Sequence, residues 1–549
     1  MGVLGWITLL PLFGAGLVML VPRDEEAIHR GLGLLFTIAT FVVSLLILPD
    51  FDAGRAGFQM EVDKLWIAPL NIHFHLGVDG ISLWLVLLTT FIMPVTLLSP
   101  QAIGIRNIRG REFIVAMLVL EAGMVGAFLA LDLFVFYVFW ELMLIPMYFI
   151  IGIWGGDRRL YAAIKFVIYT LVGSLLMLVA ILYLYTQFHS ATGSYSFDYT
   201  QLSHLTLPFW PQLFCFAAFA LAFAIKVPIF PLHTWLPDAH VEAPTGGSVI
   251  LAAVLLKFGT YGFLRFALPI FPLAAEAAAP VIASLAVIGI VYGALMAYVQ
   301  DDAKKLVAYS SVSHLGFVVL GIFSLNGTAV QGALYQMLAH GISTGGLFLA
   351  VGVLYDRRHT RRLSDFGGLW KQIPVFSACF MVIMLASVGL PGLCGFVGEF
   401  LVLIGTFTAN KTWAANGMSG FFPAPKLMGA ISATAVILAA MYLLTMYQRL
   451  MFGPLDKPEN RAVRDIHGRE RWVFGIIVVA AIALGVWPQP ILSRSEKSVD
   501  AFVTNFRDRL SEARRAPDAP AHVYPALEGA AAPSPSPQPA PSAPPGGNP

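Results

Sequence analysis

Residues 222–266 read AFAIKVPIFPLHTWLPDAHVEAPTGGSVILAAVLLKFGTYGFLRF, and this stretch decides the fold. An apolar run leads into a proline-rich segment, and a second apolar run follows it. One lysine lies inside each run, at Lys226 and Lys257. A bilayer-spanning helix needs about 20 mostly apolar residues. The stretch therefore predicts the end of one membrane span and the whole of the next, and its prolines predict that the first helix is interrupted at membrane depth.

The composition extends this interpretation to the whole chain. Of the 549 residues, 58% are hydrophobic and 12% are charged, whereas a soluble chain carries about 25% charged residues. A polytopic all-α membrane protein is therefore predicted. The net charge of +2 gives no indication of nucleic-acid binding. The first apolar run, 3–21, has no basic residue before it, so it is interpreted as a retained span and not as a secretory signal.

The apolar runs predict about fourteen transmembrane helices. They lie at approximately 3–21, 31–49, 78–98, 112–130, 133–153, 163–187, 209–230, 244–266, 280–300, 307–325, 330–354, 374–408, 427–452 and 472–490. The run 374–408 is too long for one simple span, and the sequence Gly-Leu-Pro-Gly at 389–392 divides it. A second broken helix is therefore predicted there, five spans after the first. Paired broken spans are typical of a transporter's central site, and the odd spacing predicts two units that are inverted relative to each other.

Basic residues between the spans are distributed asymmetrically. Even-numbered connections hold only Arg55, Lys64, Lys411 and Lys426, and the other basic residues between spans lie in odd-numbered connections. The positive-inside rule then places the odd-numbered connections in the cytoplasm. With fourteen spans, both termini are predicted to face the outside.

Ionisable residues within the apolar runs are the strongest indication of function. Besides Lys226 and Lys257, Glu141 lies in FYVFWELMLIPM, and Glu399 follows the second break. Each such group costs about 2.5–3.5 kcal/mol on insertion scales, so a chain that carries several, of both signs, is predicted to move charge. Burial disfavours the charged form of a lysine, and this allows Lys257 to give and take protons.

Each of these four residues also has a structural alternative. Glu141 could be a carboxylate neutralised by a neighbouring helix, and the long stem of Lys226 could reach an interface. Lys257 could be permanently charged and paired with a carboxylate. Glu399 could be a partner of a helix N-terminus.

Two histidines inside spans, His314 in SSVSHLGF and His340 in QMLAHGISTGG, are candidates for a proton relay. Imidazole titrates near neutral pH and can pass a proton between its two nitrogens. Neighbouring hydroxyl groups would admit water. The alternative for each is a hydrogen-bonded polar residue without a role in transfer.

Several other polar residues are open to more than one interpretation. Glu121 is either a second carboxylate near Glu141 or a structural group, and Asp132 is interpreted as a cap or surface residue. Lys165 and Arg265 lie near span ends and are expected to extend toward the interface.

The segment after the first break carries His233, Asp238, His240 and Glu242, which form either a metal site or, as favoured here, a polar, hydrated cytoplasmic vestibule. The three cysteines form no metal or redox spacing, and no nucleotide-binding, haem or iron–sulfur motif is visible.

The motifs described above resemble those of the antiporter-like subunits of respiratory complex I, and most closely the subunit M family of NADH-quinone oxidoreductase. The resemblance is carried by residues 222–266 together with AYSSVSHLGF (308–317), ALYQMLAHGISTGGLF (333–348) and SVGLPGLCGFVGEF (387–400). It implies fourteen spans with two inverted five-helix units, each containing a broken helix. It also implies that Glu141 and Lys226 form a coupled pair, that Lys257 is the central proton carrier, that His314 and His340 continue the path, and that Glu399 ends it.

The implied function is proton translocation coupled to electron transfer from NADH to quinone. No cofactor is expected in this chain; NADH, flavin, iron–sulfur clusters and quinone are expected in partner subunits. Other membrane subunits and the lipid bilayer are the expected partners, in a bacterial inner membrane or equivalent. A subunit of a multisubunit Na⁺/H⁺ antiporter is the alternative, and a transporter of an organic substrate is a third class. The outermost complex I subunit carries a lysine where this chain has Glu399, which favours subunit M.

The predicted organisation has six parts. They are N-terminal helices at 1–110, a first five-helix unit at 111–266, a second unit at 279–452, a last transmembrane helix within 453–490, an amphipathic segment at 491–515 and a disordered Pro/Ala-rich tail at 516–549. The amphipathic segment is predicted because apolar residues recur at helical spacing from Val499 to Leu510. The tail departs from the family pattern.

Overall fold

The computed structural model describes residues 2–104, 108–409, 424–515 and 521–523. The helices of the first half are α1 Val3–Leu20, α2 Glu26–Leu45, α3 Ile47–Asp50, α4 Ser82–Leu98, α5 Gly110–Leu129, α6 Leu133–Leu142, α7 Leu144–Trp154, α8 Arg159–Thr192, α9 Tyr199–Leu202, α10 Phe209–Lys226, α11 Trp235–Glu242 and α12 Thr245–Ile250. Those of the second half are α13 Lys257–Gly262, α14 Leu268–Ile270, α15 Pro272–Tyr298, α16 Ala303–Phe323, α17 Gly327–Arg358, α18 Pro374–Val388, α19 Cys394–Thr408, α20 Pro425–Met451, α21 Pro458–Arg461, α22 Arg469–Val486 and α23 Gln489–Arg515. The predicted tail lies, apart from 521–523, outside the described residues.

Short antiparallel strand pairs accompany the helices. β1 Gln59–Val62 pairs with β4 Leu76–Val78, β2 Leu65–Ile67 with β3 Ile72–His73, and β5 Leu205–Thr206 with β6 His522–Val523. The first four strands lie in the connection between α3 and α4. They form a small cover at one end of the helices and do not alter the predicted all-α class.

The number of membrane-crossing helices is best given as a range. Eleven described helical stretches are long and apolar enough to cross a bilayer, and some of them comprise two or more of the helices named above. The count is twelve if α22 and α23, which meet at an angle of 63°, are taken together as one span. The helices α4, α18 and α19 are apolar but shorter. The multi-pass membrane fold is thus confirmed, whereas the count of fourteen and the inverted repeat remain predictions.

The first predicted break begins where α10 ends, at Lys226, and helix resumes at Trp235. Pro228 and Pro231 have no N–H to continue the helical ladder, and this stops the helix. The indole of Trp235 donates to the carbonyl of Ile225 at 2.9 Å. The last turn that carries Lys226 is therefore tied to the segment beyond the break.

The second predicted break separates α18 from α19. Gly389 ends α18 with φ +84°, and Gly392 has φ +89°. Both values lie in the left-handed region, which glycine adopts without steric cost. Glu399 therefore lies in the second turn of a new helix, as predicted for a residue after a break.

A different irregularity surrounds Lys257. Two π-helical segments, Leu251–Leu255 and Phe263–Ala267, flank the short helix α13 in which Lys257 is the first residue. Within the span Thr245–Ile270 the most apolar stretch is completely buried, as is that of α17. These two helices form the centre of the molecule, so the polar groups on them face protein and not lipid.

An ionised histidine joins two connections at the strand-bearing end, the one between α3 and α4 and the one between α8 and α9. His75 Nδ1 lies 2.5 Å from Asp198 Oδ2, and its Nε2 lies 3.1 Å from Glu61 Oε2. Burial opposes the imidazolium, but these hydrogen bonds and charges outweigh it and raise the pKa of His75 to about 10. The resulting stabilisation is complete below pH 6.5 and is lost only as the pH rises through about 10. The contact therefore persists at physiological pH.

Arg265 corrects one sequence-based expectation. Its side chain does not extend to the membrane interface; it is 5% exposed and forms an ion pair of 2.5 Å with Asp79. It also donates to the hydroxyl of Tyr261, which in turn donates to the carbonyl of Phe128. The second π segment is thereby fixed to the start of α4.

Replacing Arg265 by Gln is expected to destabilise the fold by about 3–5 kcal/mol, because it leaves the Asp79 carboxylate buried and unpaired. Arg449→Gln is the matched control, since the ion pair of Arg449 with Asp301 is exposed and such pairs contribute about 0–1 kcal/mol. Thermal unfolding of the purified protein in detergent measures both. Equal stability of the two variants would contradict the role given to the buried pair.

Candidate functional site

The central contact of the site joins Lys257 to His340. The Lys257 ammonium Nζ donates to the Ala252 carbonyl at 2.6 Å and lies 2.7 Å from His340 Nδ1. Both side chains are buried. Among the described residues, no carboxylate lies within 4.0 Å of Lys257. The structure therefore does not show the alternative, in which Lys257 is permanently paired with a carboxylate.

A second contact joins His314 to Glu399. His314 Nδ1 lies 2.9 Å from Glu399 Oε1, and the same oxygen accepts a 3.0 Å hydrogen bond from Gln336 Nε2. The other ring nitrogen of His314 lies 3.4 Å from the Tyr442 hydroxyl. All of these side chains are buried. Glu399 therefore has a titratable partner and is more than a helix-terminal group.

The two contacts lie next to each other. The rings of His314 and His340 have centroids 5.9 Å apart, at an interplanar angle of 59°. In space the four groups follow the order Lys257, His340, His314, Glu399. The sequence interpretation named these members but did not predict that His314, and not His340, lies next to Glu399. The four groups form a row whose members can each bind and release a proton, with one gap that a single water could bridge.

Glu141 and Lys226 are arranged differently. Among the described residues they form no ion pair within 4.0 Å, and Glu141 Oε1 is buried without a hydrogen-bond partner. The Lys226 ammonium lies 5.2 Å from the ring centroid of Trp140 and 5.6 Å from that of Phe166. Such contacts contribute about 0.5–2 kcal/mol. The pair is therefore separated, with the lysine held between aromatic faces.

Three residues of the site were missed by the sequence interpretation. Gln336 and Tyr442 touch the Glu399–His314 contact, and Trp140 faces Lys226. Gln336 precedes His340 by four residues, which places both on one face of α17, and this spacing could have indicated it. Trp140 is a chain neighbour of Glu141, but nothing in its local sequence indicates that its ring turns toward Lys226.

Three other polar residues lie outside these contacts. Asp132 caps α6 by accepting from the backbone N–H groups of Phe134 and Val135, as predicted for a cap. Glu121 is fully buried on α5, and neither of its oxygens has a hydrogen-bond partner. Lys165 is half-buried and bonded to Asp238 at 2.7 Å, so it does not simply extend to the interface.

The residues after the first break do not gather around one point. Asp238 pairs with Lys165, and Glu242 accepts from the backbone of Arg158 at 3.0 Å. The ring of His240 stacks on Phe348 at 4.4 Å. In the described ranges, no three His, Cys, Asp or Glu side chains are grouped as metal ligands would be. These side chains therefore take separate positions, and the hydrated vestibule remains a prediction.

Comparisons with known families agree with this geometry. Residues 130–422 match the family described as NADH:quinone oxidoreductase/Mrp antiporter, TM. Residues 34–126 match the amino-terminal region of NADH-ubiquinone oxidoreductase chain 4. The two matched ranges include both helix breaks.

Individual relatives extend the similarity over most of the chain. The NADH-quinone oxidoreductase subunit M of Rhodobacter capsulatus is 46% identical over 520 residues, which are 92% of this chain and 97% of the relative. A chain of respiratory complex I from Thermus thermophilus superposes with a TM-score of 0.79 at 33% identity, covering 92% of this chain and 99% of that one. A chain of the Mrp complex from Dietzia shares the fold alone, with a TM-score of 0.76 at 19% identity over 93% and 100% of the two chains. On the identity and coverage of these relatives, the chain belongs to the NADH-quinone oxidoreductase subunit M/chain 4 family.

Proposed function

We propose that this chain carries protons across the membrane as a subunit of an NADH-quinone oxidoreductase whose partner subunits transfer electrons from NADH to quinone. The single observation that carries the proposal is the buried row Lys257, His340, His314 and Glu399, with hydrogen-bond distances at both ends. A row of acid–base groups with few other polar partners suits proton transfer better than the binding of a larger solute.

The transfer uses the hydrogen bonds at the two ends of the row and one water between the two imidazoles. Lys257 in its ammonium form gives a proton to His340 Nδ1, and the imidazole releases another from Nε2 toward His314. His314 passes a proton from Nδ1 to the Glu399 carboxylate. After one proton has passed, each imidazole holds its proton on the other ring nitrogen, Lys257 is neutral and Glu399 is protonated. Each imidazole then returns to its first tautomer, Lys257 takes up a new proton and Glu399 releases its own, and no bond other than those to hydrogen changes.

Glu141 and Lys226 act on this row through charge. When the two groups are apart, the rings of Trp140 and Phe166 stabilise the Lys226 ammonium. Its positive charge then lies beside the helix that carries Lys257. When the pair closes, the charges compensate each other, and the electrostatic cost of a proton on Lys257 falls. Opening and closing of the pair therefore biases Lys257 between its charged and neutral forms.

The membrane placement follows from the distribution of basic residues. Odd-numbered connections face the cytoplasm, and both termini lie on the periplasmic or outer side of a bacterial inner membrane or its equivalent. The proposed functional parts are one unit at 111–266 around Lys226 and one at 279–452 around Glu399. Flavin, iron–sulfur clusters and quinone belong to partner subunits.

A subunit of a multisubunit Na⁺/H⁺ antiporter is the second candidate, favoured by the inclusion of Mrp antiporters in the matched family description. Purification of the chain from its native membrane distinguishes the two. Co-purification with flavin and iron–sulfur subunits supports the oxidoreductase, and co-purification with antiporter subunits alone supports the second candidate.

Lys257→Met tests the central role. It keeps an unbranched chain of similar length and removes the titratable group, so NADH-driven proton uptake by vesicles that contain the assembled complex is expected to fall by about 100-fold or more. Arg449→Gln, which removes an exposed charge, is the control. Wild-type uptake by the assembled Lys257→Met complex would overturn the proposal.

Glu141→Gln keeps the shape of the side chain and removes its charge. We expect proton uptake to fall by at least 10-fold, because a neutral amide cannot compensate the Lys226 ammonium. Glu141→Asp retains the charge and should lose less. If the Gln variant matches wild type while the complex assembles normally, Glu141 is a structural group.

Glu399→Gln and Glu399→Lys separate titration from shape at the end of the row. The amide still bonds His314 but cannot accept a proton, so proton uptake should fall by about 100-fold. A lysine at position 399 can accept a proton. It is positive when protonated and neutral when deprotonated, whereas glutamate is neutral and negative in the same two states, so we expect only partial activity. Equal pumping by Glu399→Gln and wild type would show that the proton leaves His314 by another route.

A further inference from the structure

The residue before Glu141 is a tryptophan whose ring faces Lys226. The Lys226 ammonium lies 5.2 Å from the ring centroid of Trp140 and 5.6 Å from that of Phe166. Trp140 belongs to α6 and Phe166 to α8, so two different helices each contribute a ring. The three side chains are at most 3% exposed. The faces of Trp140 and Phe166, here called the aromatic seat, therefore hold the ammonium at a place separate from the Glu141 carboxylate.

Packing against other rings fixes the position of the Trp140 ring. Its centroid lies 5.7 Å from that of Phe136, one turn earlier on α6, and 5.6 Å from that of Phe223 on α10. A third ring, that of Phe258 on α13, has its centroid 6.5 Å away, and Phe258 directly follows Lys257 in the chain. Aromatic rings at these separations attract each other. The aromatic seat is therefore fixed relative to α10 and to the helix that carries Lys257.

Trp140 and Glu141 offer the same ammonium two alternative positions on α6. Consecutive residues of a helix point about 100° apart around its axis, so the ring face and the carboxylate lie on different faces. Among the described residues no ion pair within 4.0 Å joins Glu141 to Lys226, and Glu141 Oε1 is buried without a hydrogen-bond partner. A lysine has a flexible stem of four carbons, which can carry the ammonium from the ring to the carboxylate. The structure contains the first of these two arrangements.

The strength of the aromatic seat bears directly on the balance between the two positions. Tryptophan presents a better face to a cation than any other aromatic side chain, and such a contact shifts an equilibrium by up to about 30-fold when the cation is desolvated. In a buried ion pair, the cost of desolvation offsets much of the Coulomb attraction between the two charges. Neither position therefore holds the ammonium permanently, and a change in the ring alters how the lysine divides its time between them.

We propose that Trp140, through the aromatic seat, competes with Glu141 for the Lys226 ammonium and thereby sets how often the pair opens. Trp140 is a positioning residue: it binds no transferred proton and acts only through Lys226. Because the seat is fixed relative to the helix of Lys257, the charge of the open pair lies at a defined place beside that helix. The inference rests on the proposed function, since the open pair matters only if its charge acts on Lys257.

Fluorinated tryptophan incorporated at position 140 tests the aromatic seat while nearly preserving its shape. Each fluorine withdraws electrons from the ring and so weakens the attraction of a cation to its face. In vesicles with the assembled complex, we expect NADH-driven proton uptake to fall stepwise with one, two and four fluorines, by about 10-fold with four. Uptake that does not depend on the number of fluorines would overturn the proposal.

Trp154 provides the matched control for fluorination. It is as buried as Trp140, at 3% exposure, but its ring packs on Phe113 and its indole donates to the Ile108 carbonyl at 2.6 Å. The same fluorinated residues at position 154 should leave proton uptake unchanged. An equal fall at both positions would contradict the proposal, because it would mark a general effect of fluorine on a buried ring.

Combination with Glu141→Gln separates competition for the lysine from packing. In that variant the amide carries no charge to attract the ammonium, so the aromatic seat has no competitor. Tryptophan with four fluorines at position 140 should then cause no loss of uptake beyond that of Glu141→Gln alone. If the two losses multiply, the ring acts independently of the pair and the proposal is wrong.

Substitutions at position 140 provide an independent test. Trp140→Phe keeps a weaker aromatic face and should retain intermediate uptake, whereas Trp140→Leu has no such face and should lose about 10-fold or more. Lys257→Met, measured in parallel, distinguishes the two levels of inference. If Lys257→Met is blocked while every variant at position 140 pumps normally, only the role of Trp140 is wrong. If Lys257→Met itself pumps, the proposed function fails.

Discussion

The contact on which the site depends is that between the Lys257 ammonium and His340 Nδ1, 2.7 Å apart in the interior of a membrane protein. A buried ammonium is normally compensated by a carboxylate, but here its neighbours are an imidazole and one backbone carbonyl. Neither carries a negative charge. Lys257 therefore lacks the fixed counter-charge that would hold its proton permanently.

The rest of the fold supplies the conditions for this contact. The π-helical segments on both sides of α13 widen the helix, and in the first of them the Ala252 carbonyl is available to the lysine. Such segments often occur at functional sites. The stretches of α12–α14 and α17 that face each other are completely buried, so lipid does not reach the pair. Arg265 fixes the second π segment to α4 through Asp79.

Much of the fold and of the site could be predicted from the sequence. The features that could not be predicted leave no signal in the local sequence. Prolines after Lys226 and glycines before Glu399 act locally, so both helix breaks were correctly predicted. The π segments carry no local signal, because their residues are as apolar as those of a regular span. Arg265 was assigned wrongly since its partner Asp79 lies 186 residues away, and a long side chain near a span end looks the same with or without such a partner. The contact between Lys257 and His340 likewise spans 83 residues; its members could be predicted, but their bonding could not.

The two halves of the site differ in a way that bears on how control passes between them. Lys257 and Glu399 are joined through hydrogen-bonded neighbours, whereas Lys226 is held against aromatic rings and apart from Glu141. The helix of Lys226 nevertheless packs closely on that of Lys257. Gly259 shows this, because a Cβ added at that position would clash with the Phe223 carbonyl oxygen. Under the proposed function, a change of charge at the first pair therefore acts on Lys257 across this helix contact, because a Coulomb interaction needs no proton to pass between the two lysines.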